Sequence, residues 1–174
     1  MNKHPFDILA LENGAQLIFT PCPGSKAANL ADSITQLKQA GTSVLLTLMF
    51  DEEMTKNRLT KLPDICKQHK INWLQLPIID DEAPTAVFES DWLRHKTEIL
   101  AVLNNQGTVA VHCKGGTGRT GLVIAIILLD LGWSYDEVIR EVQKIRPKAL
   151  INSAQLGYFH SIVAASVSVN LLSR

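Results

Sequence analysis

The stretch that decides the fold reads Thr108-Val109-Ala110-Val111, then His112-Cys113-Lys114-Gly115-Gly116-Thr117-Gly118-Arg119-Thr120-Gly121, then the apolar run Leu122–Leu131. A short β-branched segment reads as a strand, and the long apolar segment reads as a buried helix. The glycines at 115, 116 and 118 let the chain between them curl tightly, because glycine tolerates dihedrals closed to other residues. A curled loop that feeds a helix turns its backbone N–H groups inward, and the N-terminus of the helix adds to the same positive potential. The segment therefore reads as an anion cradle built from Lys114, Gly115, Gly116, Thr117 and Gly118.

The side chains give the cradle its chemistry. Amide donors, a helix N-terminus and a guanidinium all favour the thiolate form of a cysteine, so Cys113 at the mouth of the loop is a candidate nucleophile. Arg119 follows where the loop has curled round, and its planar fork matches two phosphate oxygens. Thr120 is placed to donate its hydroxyl to the sulfur as the thiolate leaves. Lys114 adds charge at the rim, suited to highly anionic substrates or simply to water. A Walker A loop needs Gly-Lys-Ser/Thr at this point, whereas this loop has Gly-Arg-Thr with a cysteine before it. No cluster with metal-ligand spacing is present in the sequence, so neither metal nor cofactor is expected and the protein itself must neutralise the phosphate.

Outward from the loop, strands and helices alternate. Gln16–Thr20, Ser43–Met49, Asn72–Ile79 and Thr108–Val111 read as strands. Helices are expected over Asn29–Ala40, Leu59–His69 (interrupted by Pro63), Val87–Asn105 closed by Gly107, Leu122–Leu131 ended by Gly132, and Ser153–Leu172. Ser134-Tyr135-Asp136-Glu137 is a capping box that opens one more. This order predicts an α/β fold: one domain over 1–174, with a central, mainly parallel sheet flanked by helices on both faces.

Bulk properties narrow the function. The 174 residues are 46% apolar, enough for a core without disulfide or metal staples. Lys plus Arg equals Asp plus Glu, 17 against 17, which argues against a general nucleic-acid or membrane-surface binder. The N-terminal residues lack the apolar core of a signal peptide, and the most apolar run, Leu122–Leu131, is too short to span a bilayer. Cys22, Cys66 and Cys113 are an odd number at wide spacing, neither a metal pair nor a disulfide framework. A reducing cytoplasm is the expected location. Cys22 and Cys66 read as packed side chains, and His69, His95 and His160 show no ligand spacing.

The pattern His112-Cys113-x-x-Gly116-x-x-Arg119-Thr120-Gly121 resembles the signature of the protein tyrosine phosphatase superfamily, whose core is Cys-x5-Arg. Within it the chain most resembles the dual-specificity branch of the kinase-associated phosphatase type. Phe19-Thr20-Pro21-Cys22-Pro23-Gly24, Leu76-Pro77-Ile78-Ile79-Asp80-Asp81 and Ala149-Leu150-Ile151-Asn152-Ser153-Ala154-Gln155 fall in that family's order, so the resemblance runs from about Leu17 to Tyr158. It implies a cysteinyl-phosphate mechanism and a phosphorylated protein as partner, acted on by a monomer. It also implies an aspartic acid ahead of the cysteine as proton donor. Asp80 matches the family's Pro-x-x-Asp pattern, with Asp81 and Glu82 as neighbouring candidates. His112 corresponds to a residue that supports the loop through the backbone near the cysteine. Gln155 matches a glutamine that assists phosphate or water, but Ile151 stands where tyrosine-specific relatives have another glutamine. Two other functions fit the same loop: a phosphatase for an inositol phosphate, lipid head group or RNA 5′ end, and an adaptor that binds phosphate without cleaving it.

Overall fold

The computed structural model describes residues 2–172, and side chains up to residue 166. Five strands, β1 (Asp7–Ala10), β2 (Gln16–Thr20), β3 (Thr42–Thr47), β4 (Asn72–Gln75) and β5 (Thr108–His112), form one sheet in the order β1-β2-β5-β3-β4. Only β1 runs antiparallel, against β2. The helices are α1 (Leu30–Gln39), α2 (Asp51–Lys56), α3 (Leu62–Gln68), α4 (Ala86–Asn104), α5 (Gly118–Asp130), α6 (Tyr135–Ile145) and α7 (Ser153–Leu172).

Strand alternation divides the interior into two cores. Leu17, Phe19, Val44, Leu46, Val109 and Val111 point to one face, against Phe88 and Trp92 of α4, the apolar length of α5, Val138 and Val142 of α6, and Phe159 of α7. Ile18, Leu45 and Ala110 point to the other, against Ile34 and Leu37 of α1 and Leu62 and Cys66 of α3. The two-sided α/β sheet is thus as the sequence predicts. β5, buried along its whole length between β2 and β3, delivers the cysteine loop at the carboxyl ends of the parallel strands, where open α/β sheets place their ligands.

Several boundaries differ from the expectation, each for a local reason. β4 stops at Gln75 rather than Ile79, since Pro77 has no N–H for a ladder. Leu76 and Ile78 nevertheless donate to the carbonyls of Thr47 (2.9 Å) and Leu48 (3.3 Å), which lays the next loop along the end of β3. α3 begins at Leu62 and takes Pro63 into its first turn, where a missing N–H is harmless. α5 begins at Gly118 rather than Leu122, so Arg119 and Thr120 belong to its first turn. α4 is closed by Gln106 in the left-handed region (φ 61), with Gly107 donating to the Val102 carbonyl at 2.8 Å. β1 and α2 were not expected at all. β1 buries only Leu9, and α2 buries only Met54 behind the acidic turn Asp51-Glu52-Glu53, so neither leaves an apolar periodicity. Among the described residues, no helix is long and apolar enough to cross a membrane.

Candidate active site

β5 ends by carrying Cys113 into the start of the loop, where it is 3% exposed. The loop turns back at Gly116, whose φ is 74°. A Cβ there would lie 2.6 Å from Thr20 O and C and from Pro21 N, so the loop is pressed against the end of β2 and only glycine fits. The same residue's N–H donates to Cys113 Sγ at 3.2 Å, and the Thr120 hydroxyl donates to it at 3.3 Å. Such donors hold an anionic acceptor more tightly than a neutral one. Among the described residues, the backbone N–H groups of Lys114, Gly115, Thr117, Gly118 and Arg119 have no hydrogen-bond partner, and the N-terminus of α5 opens in their midst. The loop has the donors of an anion nest. Arg146 fixes it from behind, donating from Nε to Gly116 O (2.9 Å) while NH1 pairs with Asp7 Oδ2 (2.5 Å).

Arg119 is buried, 1% exposed, and its orientation corrects the simple picture of a free fork. NH1 donates to Glu53 Oε2 (2.8 Å) and to the carbonyls of Leu48 (3.2 Å) and Ile78 (3.1 Å), and NH2 donates to Glu53 Oε1 (2.9 Å). The edge left for a phosphate is therefore Nε with the second NH2 hydrogen. Asp80 Oδ1 lies 3.1 Å from Nε as an ion pair, but off the N–H axis, so Nε keeps an unused donor. Burial works against the charge of Arg119, but the carboxylate of Glu53, with Cys113 and Asp80 nearby, outweighs it and raises the guanidinium above its ordinary range.

His112 sits in register between Thr20 on β2 and Thr47 on β3. Thr47 Oγ1 accepts from Trp73 Nε1 (2.8 Å) and lies 2.7 Å from His112 Nε2, while His112 Nδ1 faces the Cys113 carbonyl, which can only accept. The proton of the imidazole is thereby assigned to Nδ1, 3.2 Å from that carbonyl. Burial pushes His112 down to about 4, against the opposing pull of that carbonyl, so the ring is neutral near pH 7.

The three acidic candidates occupy different positions. Asp80 faces Arg119 with a side chain 66% exposed. Asp81 has a left-handed backbone (φ 61), and its carbonyl accepts from Asn152 Nδ2 at 3.1 Å. Glu82 closes a turn, its N–H on Ile79 O at 3.1 Å. Lys114 is exposed and donates to Asn57 Oδ1. Gln155 is buried on the first turn of α7, not exposed, and a Cβ on Gly118 would meet its Oε1 at 3.4 Å. Ile79 and Ile151, 52% and 62% exposed, sit next to Asp80 and Asn152 respectively. Cys22 and Cys66 are packed and buried, which pushes their thiols up to about 11 and about 12. Three residues went unread in the sequence: Glu53, Arg146 and Asn152. No spacing marks Glu53, which stands third in an acidic triplet, and the other two act through backbone groups far away in the chain. Among the described residues, no three His, Cys, Asp or Glu side chains form a group able to hold a metal ion.

Comparison with known proteins identifies the family and the fold. Residues 22–133 match the family described as polymorphic toxin system, DSP-PTPase phosphatase. Mouse protein tyrosine phosphatase type IVA 2 is 30% identical over 120 residues, covering 63% of this chain and 70% of the relative. Rat cyclin-dependent kinase inhibitor 3 is 29% identical over 135 residues, covering 76% and 62%. A crystal structure of kinase-associated phosphatase, with its catalytic-site cysteine replaced by serine, superimposes with a TM-score of 0.80 at 25% identity, covering 94% of this chain and 98% of that one.

Proposed function

Because the chain belongs to the DSP-PTPase phosphatase family and is a cysteine-based phosphatase, we propose that it dephosphorylates phosphotyrosine, and also phosphoserine and phosphothreonine, in proteins, with Cys113, Arg119 and Asp80 as its catalytic residues. The observation that carries this reading is that one loop and the first turn of α5 bear Cys113 Sγ, held by the Gly116 N–H and the Thr120 hydroxyl, the unpartnered loop amides, and Arg119, whose unused Nε has Asp80 at 3.1 Å.

In the mechanism, Cys113 Sγ attacks phosphorus in line, while the loop amides and Arg119 hold the non-bridging oxygens. The bond to the leaving oxygen breaks as Asp80 gives that oxygen its proton, and a cysteinyl-phosphate remains. Asp80, now a carboxylate, takes a proton from water as the water oxygen attacks phosphorus. The P–S bond breaks, the electron pair returns to sulfur, and the Thr120 hydroxyl receives the thiolate. Gln155, whose side-chain amide faces Gly118, is suited to orient that water. Ile79 and Ile151 give the mouth apolar surface that suits the ring of a phosphotyrosine. A thiol nucleophile fits the reducing cytoplasm.

The test is a phosphate-release panel of phosphotyrosine, phosphoserine and phosphothreonine peptides, inositol phosphates and 5′-triphosphate RNA, run in reductant. Peptide turnover should dominate and vanish in Cys113→Ser, and Asp80→Ala should lower kcat about 10²- to 10³-fold while substrate still binds. Turnover that survives Cys113→Ser overturns the mechanism. An equal loss from Asp81→Ala, with Asp80→Ala unaffected, reassigns the acid. Preference for a non-peptide phosphate overturns the substrate class.

A further inference from the structure

We propose that Asn152 is a positioning residue that clasps the acid loop to the start of α7, and so keeps Asp80 in register with the phosphate loop. Its side chain makes three hydrogen bonds in two directions. Oδ1 accepts from the N–H groups of Ala154 (2.9 Å) and Gln155 (3.1 Å), capping α7. Nδ2 donates to the carbonyl of Asp81 at 3.1 Å, across 71 residues of chain. An amide is the side chain that offers both an acceptor and a donor in one plane, so neither half of the contact can shift without the other.

Both ends of the clasp need holding. Asp81 has φ 61, a backbone region unfavourable for a residue with a Cβ, and beside it Asp80 is largely exposed and held by one ion pair to Arg119. Opposite, the chain before Asn152 is fixed against the helix that carries Arg119 and Thr120. A Cβ on Gly121 would come within 2.4 Å of Ala149 Cβ, so that segment lies directly on the first turn of α5. Leu150 adopts φ 58 to turn the chain towards Asn152, and Phe159 of α7 is packed into the same core as α5. The path from Arg119 to Asp80 thus closes through α5, Ala149, Asn152 and Asp81.

This inference rests on Asp80 being the general acid, so its test measures acid catalysis directly. An ester with a very acidic phenol departs without a proton, whereas one with a weakly acidic phenol needs it. Asn152→Asp and Asn152→Ser keep a capping oxygen for α7 and break the bond to the Asp81 carbonyl, since a carboxylate has no donor and the serine hydroxyl is too short to reach it while capping. With a series of aryl phosphates, both variants should lose about ten- to a hundredfold in kcat on the poorest leaving groups and little on the best. Vanadate affinity and Tm should stay near the parent values, and if one variant folds poorly the other carries the comparison. Asp80→Ala, run in parallel, should show the same slope more steeply. If Asp80→Ala is flat across the series, the acid assignment fails. If Asp80→Ala is steep while both Asn152 variants match the parent, or lose activity equally for all leaving groups, the clasp is wrong and the acid stands.

Discussion

Arg119 and Glu53 meet as a two-pronged pair, NH1 on Oε2 at 2.8 Å and NH2 on Oε1 at 2.9 Å, with the arginine side chain fully buried and the glutamate 26% exposed. The carboxylate thereby selects which edge of the guanidinium faces the cleft. Removing it leaves a buried cation with only carbonyls and the more distant Asp80. Glu53→Ala should therefore destabilise the fold by about 3 kcal/mol, the low end for a broken buried pair because Glu53 touches solvent. It should also lower kcat/KM about 100-fold as Arg119 loses its aim. Thermal melts and aryl phosphate kinetics check both, and Glu53→Gln should fall between variant and parent.

Thr120→Val tests the hydroxyl on the sulfur. The swap keeps shape and removes one donor to Cys113 Sγ. Departure of the thiolate should slow more than its attack, so the cysteinyl-phosphate accumulates. Rapid-quench kinetics should show a larger burst, with kcat reduced about tenfold.

Gly116→Ala tests the close approach of loop and strand. The new methyl would collide with Thr20 and Pro21 backbone atoms at 2.6 Å, and the φ of 74° disfavours any Cβ. Backbone cannot yield as a flexible side chain does, so a loss of about 2–4 kcal/mol is expected, with vanadate binding abolished. Calorimetry and vanadate inhibition measure the two effects.

The sequence made the cysteine loop, the two-sided sheet and the capping box at Ser134 legible, because each depends on neighbours in the chain. The helix before the loop shows where that reading ends. Gly107 is expected to close α4, yet Gln106 takes the left-handed position, and Gly107 lies where a Cβ would come within 2.6 Å of the Val102 side chain. Glu53 was invisible for a related reason. Its partner lies 66 residues away, and only the folded sheet brings α2 to α5. Asp80 needed the family resemblance to stand out from Asp81 and Glu82; the ion pair with Arg119 now separates it from them physically.

That misplaced left-handed residue yields a stabilising change. Gln106→Gly relieves the Cβ strain at φ 61, which outweighs the extra entropy of an unfolded glycine. Urea melts should show a gain of about 0.5–1 kcal/mol with activity unchanged.

Two buried histidines set an acid limit on stability. Burial holds both His4 and His112 down to about 4, and His4 Nδ1 has no partner to share a proton with. Above about pH 6.5 neither the folded nor the unfolded chain protonates them, so their full contribution is present. Between about 6.5 and 4 the unfolded chain binds protons that the native state refuses, so stability falls as pH drops, by up to about 3 kcal/mol per ring. Tm measured from pH 7.5 to 4.5 should decline, and His4→Gln should decline less steeply. Parallel curves for the two proteins would remove His4 from the account.

Arg146 links the phosphate loop to β1, since one guanidinium grips the Gly116 carbonyl, the Phe19 carbonyl (3.4 Å) and the Asp7 carboxylate together. The outermost strand of the sheet, remote from every reacting atom, is thus an anchor for the catalytic turn. Edge strands are where a sheet frays first. Warming or mild denaturant should consequently loosen the anion grip while the central strands are still intact, so activity should be lost before the sheet, as activity and far-UV dichroism followed together along one melt would show.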